Sequence, residues 1–351
     1  MNMQATNARA SVATVALSDA AGLARIDAFV REHPEGQLFQ RPAWLQAVAR
    51  GCRQDGLFLT SEVRGQLTGV VPITFMRSAL FGKALVSSGF GVGGGILGDA
   101  DATASLSAFL VREAGARGVG SVELRGGADP GTGWQVEDGA HANFARALAT
   151  DDETELLAIP RKQRAEVRRA IGFRLEVEVG RGKRDRDAHY AVYAESVRNL
   201  GTPVFPRGLF AAMLDGFGDD AEILTIRRDG VPLASVLSFR HGDTIMPYWG
   251  GGTAAARTWR ANDALYWELM KRARAIGCTR FDFGRSKVGS GAFAFKKNWG
   301  FAPTPVRYWR HGEARAVSPV DAKYQRKIAL WKRLPLPIAN VLGPLISRGL
   351  G

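Results

Sequence analysis

The chain has 351 residues, 46% hydrophobic and 23% charged, which suits a globular protein with enough length for two domains. Lys and Arg number 47 against 34 Asp and Glu, a net charge of +13, so anionic partners are favoured: nucleic acid, phosphorylated metabolites or an anionic membrane face. The two cysteines, Cys52 and Cys278, argue against a disulfide framework or a zinc site, and the five histidines show no metal-ligand spacing. No signal-peptide core or bilayer-length apolar run is evident, so a cytoplasmic location is expected.

In chain order, residues 1–11 are small and polar and are expected to be disordered. Helical patterns follow near Ala20–Arg31 and Pro42–Gly51, the second with Pro at its first turn. GLFLTSEVRGQLTGVVPITFM predicts two strands around Arg64-Gly65. LVSSGFGVGGGILGD is a strand running into glycines, SLSAFLVREAGARG a helix stopped by Gly118, and SVELRGG another strand. A charged helical linker, DDETELLAIPRKQRAEVRRAIGF, comes next.

The same order then returns. AEILTIRRDGVPLASVLSF predicts a hairpin at Asp229-Gly230, TIMPYWGGG a strand running into glycines, ALYWELMKRARAIG a helix stopped by Gly277, and TRFDFGR a strand. Laid over each other without a gap, Leu110–Arg125 and Leu269–Gly284 match Leu110, Ala114, Ala116 and Gly118 with Leu269, Ala273, Ala275 and Gly277, and place Glu123 on Asp282. The chain therefore reads as an internal duplication of mixed α/β units. The expected division is a first domain over 12–155, a second over 156–315 and a basic amphipathic tail over 316–351.

Several motifs carry candidate chemistry. Gly89–Gly94 fits GxGxxG by letter, but it follows a third strand and opens no helix directly, unlike a dinucleotide fingerprint. It reads better as a strand end where something approaches the backbone. The segment Arg161–Ala170 gathers arginines on one helical face, with Glu166 as its only acid; it is either an anion site or a solvated face. Tyr248 and Trp249, before Gly250, suit a flat or extended ligand, or else two core aromatics and a turn. In GAFAFKKNWG, Phe295 and Trp299 are expected to pack inward, with Lys296 at the edge of the buried face and Lys297 in water. A partly buried Lys296 would have a lowered pKa or stabilise an oxyanion, with Asp282 as its partner; the other reading is a surface lysine pair.

The stretch FDFGRSKVGSGAFAFKKNWGF resembles the C-terminal signature of FemABX-type aminoacyl and peptidyl transferases, which are built from two GNAT-like domains in tandem. The likeness covers roughly 39–311, and RKQRAEVRRA resembles the basic segment opening that family's second domain. Chain length and the basic tail are similar to FemAB-like proteins of exosortase/PEP-CTERM exopolysaccharide systems. The resemblance implies an α/β fold of tandem GNAT-like acyltransferase domains and acyl transfer to an amine, without a bound cofactor or metal. The donor would be aminoacyl-tRNA or acyl-CoA, and the acceptor an anionic, nucleotide-linked or lipid-linked precursor. It also implies that Lys296 stabilises charge at the reacting carbonyl and that Lys162, Arg164 and Arg168 contact phosphate; Asp282, close to the lysine in sequence, is the second catalytic candidate. Tyr248, Trp249, Gly250, Arg285 and Phe295 complete the candidate substrate-binding set.

The sequence departs from the family in showing no helical arm with heptads, as in tRNA-dependent members, and in reading GGGTAAARTWR where many GNAT enzymes carry a CoA-pyrophosphate loop. An amino-sugar N-acetyltransferase using acetyl-CoA and a non-catalytic binder of anionic ligands or membranes are the competing expectations. The tail holds Lys323, Arg326, Lys327, Lys332, Arg333 and Arg348, and its apolar LPLPIANVLGPLI either lies on a membrane surface or packs back on the protein.

Overall fold

The computed structural model describes residues 10–78, 82–312 and 322–351, the side chains of 322–325 excepted. The first half runs β1 (Ser11–Ala16), α1 (Ala20–Glu32), α2 (Pro42–Cys52), β2 (Asp55–Val63), β3 (Gln66–Ser78), β4 (Gly82–Ser87), β5 (Leu97–Gly98), α3 (Ala100–Ala116), β6 (Ser121–Arg125) and β7 (Gln135–Glu137). Then come β8 (His141–Asn143), β9 (Ala145–Ala147), α4 (Asp152–Ala158), α5 (Arg161–Gly172) and β10 (Glu176–Gly180). These are followed by α6 (Lys183–Leu200), α7 (Arg207–Phe217), β11 (Ala221–Arg228), β12 (Val231–His241), β13 (Thr244–Gly252), α8 (Ala261–Ala275) and β14 (Arg280–Asp282). The chain closes with β15 (Ser286–Lys287), α9 (Gly291–Asn298), β16 (Thr304–Pro305), β17 (Tyr308–Gly312), α10 (Ala322–Arg333) and α11 (Leu336–Ser347).

Local chemistry explains the two long hairpins. Arg64 and Gly65 take φ of 52° and 78°, and Asp229 and Gly230 take 50° and 74°. Two successive positive φ angles give a turn whose twist matches that of the flanking strands. The helices α3 and α8 are both followed by a left-handed glycine, Gly118 at 59° and Gly277 at 82°.

The first compact unit takes the described residues through Glu137 together with β17. Its sheet has the order β1-β2-β3-β4-β6-β17-β7, with β5 pairing β3. The strand β1, over residues for which no order was expected from Ser11 back, pairs antiparallel along β2 from Ser11 to Ala16. The rest of that expectation falls on 1–9, outside the described residues. The second unit takes Asp138–Val306 and the described tail, and its main sheet has the order β10-β11-β12-β13-β14-β9.

Each sheet thus includes a strand drawn from the other half of the sequence: β17 sits between β6 and β7 in the first, and β9 forms an edge of the second. β17 pairs antiparallel with β6, and β9 pairs antiparallel with β14. The expected boundaries at 155/156 and 315/316 shift for this reason: β8 and β9 bond strands of the second unit, while β17 bonds β6 and β7 of the first.

The registers agree with the duplication read from sequence. β4 and β6 run parallel with Leu85 on Val122 and Val86 on Glu123; β13 and β14 run parallel with Thr244 on Arg280 and Ile245 on Phe281. Leu110 and Leu269 are both fully buried, as the gapless overlay requires, and Ala114 and Ala273 sit in the same two helix–sheet layers.

Candidate functional site

In both units the parallel pair is two residues long and the strands then part. In the first unit the opening is filled by the chain itself. The Ser87 hydroxyl accepts from the Arg125 N–H at 2.8 Å, the Arg125 guanidinium donates to the Gly91 carbonyl at 2.8 Å, and the Gly95 N–H donates to the Arg125 carbonyl at 3.0 Å. A Cβ at Gly91 or Gly93 would press on the Phe39 ring. The glycines of the GxGxxG-like stretch therefore let the fold approach its own backbone.

In the second unit β13 continues to Gly252, while β14 pairs with it only through Ile245 and ends at Asp282. Among the described residues no strand pairs with β13 on that side beyond Ile245. The opposite ladder shifts between Leu237, which pairs Trp249, and Ser238, which pairs Pro247, so Tyr248 is the extra residue of a β-bulge. The second unit thus has an open-sided strand with a bulge at Tyr248, beside a neighbour that ends on a carboxylate.

The chain after β14 turns sharply, and Gly284 takes φ of 69°. Two side chains hold this turn. Asp282 Oδ1 accepts from the Gly284 N–H at 2.7 Å and from the Asn143 amide at 3.1 Å. From α9, Lys296 Nζ donates to the carbonyls of Phe283, Gly284 and Arg285 at 2.7, 2.9 and 3.1 Å. An ammonium has three donors, and all three are engaged.

Lys296 is buried and Lys297 exposed, so the surface-pair reading fails for Lys296. Burial pushes the Lys296 pKa down to about 8, against the attraction of Asp282. Burial also raises the Asp282 pKa, against the hydrogen bonds from Gly284 and Asn143 and the field of Lys296. The expected direct partnership of these two residues is replaced by a shared one, in which each grips the same turn.

Phe283 and Phe295 pack around Tyr266 of α8, at 5.0 and 5.5 Å between ring centroids, with Trp299 beneath them. Phe295 is a wall of this aromatic cluster and only partly buried. The Arg285 carbonyl serves the turn, and its side chain is half-buried.

The basic helix α5 begins at the end of α9, because Gly300 backs onto Pro160. Val167 and Ala170 are its buried residues. Arg161, Lys162, Arg168 and Arg169 are exposed and fall within an arc of about 120° at 100° per residue. The helix's one acid, Glu166, is taken by Arg260 at 2.7 Å and does not neutralise them. Arg164 differs from the expectation: its Nε donates to the Ile159 carbonyl at 3.1 Å, so it is turned to its own helix start. Arg161 and Arg169 take its place on the exposed face.

Trp249 and Gly250 lie on β13 itself, where protein packs against them. Trp249 is buried with Phe205, Phe210 and Phe239 on the side of α6 and α7. Its ring is core, which removes it as a platform for a flat ligand. A Cβ at Gly250 would meet Val236, one at Gly251 would collide with Ser196 of α6, and one at Gly252 would press on Asn262 and Ala256. These glycines admit neighbouring protein: Val236 of β12 at Gly250, α6 at Gly251, and Asn262 of α8 with Ala256 at Gly252. Also on the α6 and α7 side lies a cleft of about 450 Å³ lined by Arg186, Tyr190 and Arg207. Its cations are already paired, Arg186 with Asp215 and Arg207 with Asp187.

Sequence reasoning missed Asn143 and Tyr266. Neither sits in a motif; both reach the site through tertiary packing.

Residues 159–297 match the model of an acetyltransferase (GNAT) domain. No curated protein matches the sequence. Among solved structures, FemX is similar over 89% of this chain and 98% of its own, with a TM-score of 0.63 and 16% identity. The C-terminal domain of a putative lysylphosphatidylglycerol synthetase from Agrobacterium fabrum is similar over 89% and 97%, with a TM-score of 0.60 and 15% identity. A tandem GNAT protein from the clavulanic acid biosynthesis pathway is similar over 88% and 100%, with a TM-score of 0.54 and 10% identity. The architecture is therefore that of tandem GNAT-like domains. Within that class the fold is FemX-like, and the stretch with the open strand lies inside the part that matches the GNAT model.

Proposed function

We propose that the protein is an N-acyltransferase that moves an acyl or aminoacyl group from an ester or thioester to an amine, forming an amide. The observation that carries the reading is the open side of β13 with its bulge at Tyr248, facing the carboxylate end of β14 within the GNAT-matching residues. An extended acyl donor can hydrogen-bond along such a strand, and a bulge re-aims backbone groups at one point of it.

The chemistry asks for a neutral amine, a stabilised oxyanion and a protonated leaving group. As the N–C bond forms, the attacking nitrogen sheds a proton; as the C–O or C–S bond breaks, the leaving oxygen or sulfur takes one up. Asp282 is the proton acceptor in this proposal: its raised pKa suits the task, and its Oδ1 is already fixed by Gly284 and Asn143. Lys296 is a positioning residue, because its donors are spent on the turn that carries Asp282. The exposed cations of α5 bind phosphate on a donor or an acceptor.

The finer reading, an acceptor from the cell envelope or an exopolysaccharide precursor, rests on the sequence resemblance to FemAB-like proteins. FemX and the synthetase are similar in fold. The donor is tested by incubating the protein separately with acetyl-CoA and with aminoacyl-tRNA, each with amine acceptors, and following amide formation by mass spectrometry. Asp282→Asn should lower the rate about 100-fold or more while the protein stays folded, since Asn preserves the Oδ1 acceptor. Full activity in that variant would remove Asp282 from the mechanism.

A further inference from the structure

Of the two readings of the tail's apolar stretch, the structure shows the packing on the protein and leaves a second apolar face exposed. One face of α11 packs on the protein: Ala339, Gly343 and Ser347 are buried at four-residue spacing, Gly343 lies against Val204, and the Ser347 hydroxyl donates to the Val204 carbonyl at 2.8 Å. The opposite face carries Ile338, Val341, Leu342 and Leu345, which are 48%, 68%, 40% and 57% exposed. No charged residue lies in α11. A packed helix in water ordinarily shows its polar side outward, and this one shows leucine and valine.

The preceding helix is placed to complement it. α10 docks on α6, with Ile328 against Gly201 and Arg198 donating to the Lys332 carbonyl at 3.2 Å. It leaves Leu330 66% exposed, among the exposed Arg326, Lys327, Lys332 and Arg333. Residues 322–351 hold six cationic side chains and no acid.

We propose that α10 and α11 form a docking surface for an anionic lipid bilayer, with α11 lying in the interface plane. Twelve residues span about 18 Å as a helix, too short to cross a hydrocarbon core of about 30 Å. Among the described residues no helix is long and apolar enough to cross a membrane. A helix of this kind inserts its apolar side at the headgroup level while flanking cations engage acidic lipids. A second copy of the chain fits less well. Two-fold contact through α11 would bring these cation-rich, acid-free tails face to face, and like charges across an interface oppose association.

The test is co-sedimentation of the full-length protein with phosphatidylcholine vesicles prepared with and without phosphatidylglycerol. Binding is expected only with the acidic lipid. Val341→Asp with Leu345→Asp should weaken partitioning about tenfold or more, because two exposed apolar contacts are lost. Arg326→Gln, Lys332→Gln and Arg333→Gln should each weaken it about fivefold. Both sets lie on exposed positions, and thermal melts check that the fold is kept; should the aspartate pair unfold the protein, the glutamine series still decides. Absent binding, binding that ignores lipid charge, or binding unchanged in both sets would overturn the proposal. So would a dimer seen by light scattering without lipid that Leu345→Asp dissolves. The readout involves no turnover, so it stands or falls separately from the acyl transfer.

Discussion

Lys296 Nζ lies 2.7 Å from the carbonyl oxygen of Phe283, a residue thirteen positions earlier, just past the end of β14. With the carbonyls of Gly284 and Arg285, this contact makes the lysine the clamp of a turn rather than a free cation. The family resemblance points to Lys296 as a direct stabiliser of charge on the substrate. The geometry supports an indirect role, through the backbone it holds and the adjacent carboxylate.

Stability is the first place where the two roles part. Replacing Lys296 by Met should strand three carbonyls beneath the α9 helix and cost about 2–4 kcal/mol. Loss of the Lys296 side chain should therefore lower the melting temperature as well as the activity. Thermal or urea unfolding checks it, and an unchanged midpoint would show that the clamp contributes nothing.

Glu123 occupies the position that the duplication equates with Asp282, yet its surroundings differ. Burial alone would raise its pKa, but Arg125 and Arg310 outweigh this and hold it below 4.5. A depressed folded-state pKa contributes stability above the unfolded value that is lost as pH falls through the folded value. Glu123→Gln should therefore cost about 3 kcal/mol at neutral pH, and the gap to wild type should close below pH 4.5. Unfolding of both proteins across that range measures it.

Gly251→Ala tests whether β13 is bare for packing. The added methyl would collide with Ser196 and should destabilise by about 1–3 kcal/mol. Ser196→Gly in the same chain should restore most of the loss. A loss of activity at full stability would instead favour substrate contact.

The α5 cations predict a kinetic effect without a structural one. Changing Arg161, Lys162, Arg168 and Arg169 to Gln should leave the melting temperature nearly constant, because all four are exposed. Whichever phosphate-bearing donor turns over should show KM raised about tenfold and a weaker response to salt. Arg164→Gln should act differently, lowering stability slightly through the lost bond to Ile159.

Much of the fold was legible because its signals are local. Arg64-Gly65 and Asp229-Gly230 specify turns through their own φ angles, and Gly118 and Gly277 stop helices by the same means. Lys296 and Lys297 separated into buried and exposed as helical spacing predicts. The short strands β9 and β17 were not legible, since three to five residues carry little pattern and their partners lie more than 130 residues away. Trp249 was misplaced for a related reason: a strand's two faces look alike until the helices covering them are known.

The sequence alone determined the duplicated order of elements, the turn and cap glycines, the basic face of α5 and the apolar, acid-free tail, because each depends on neighbours within a few residues. Only the tertiary structure decided what these features meet. It exchanged β9 and β17 between the two sheets, filled one strand opening and left the other open, and spent the Lys296 ammonium on three carbonyls. Hydrogen bonds and close packing depend on positions in space, which residues far apart in the chain acquire together only when it folds.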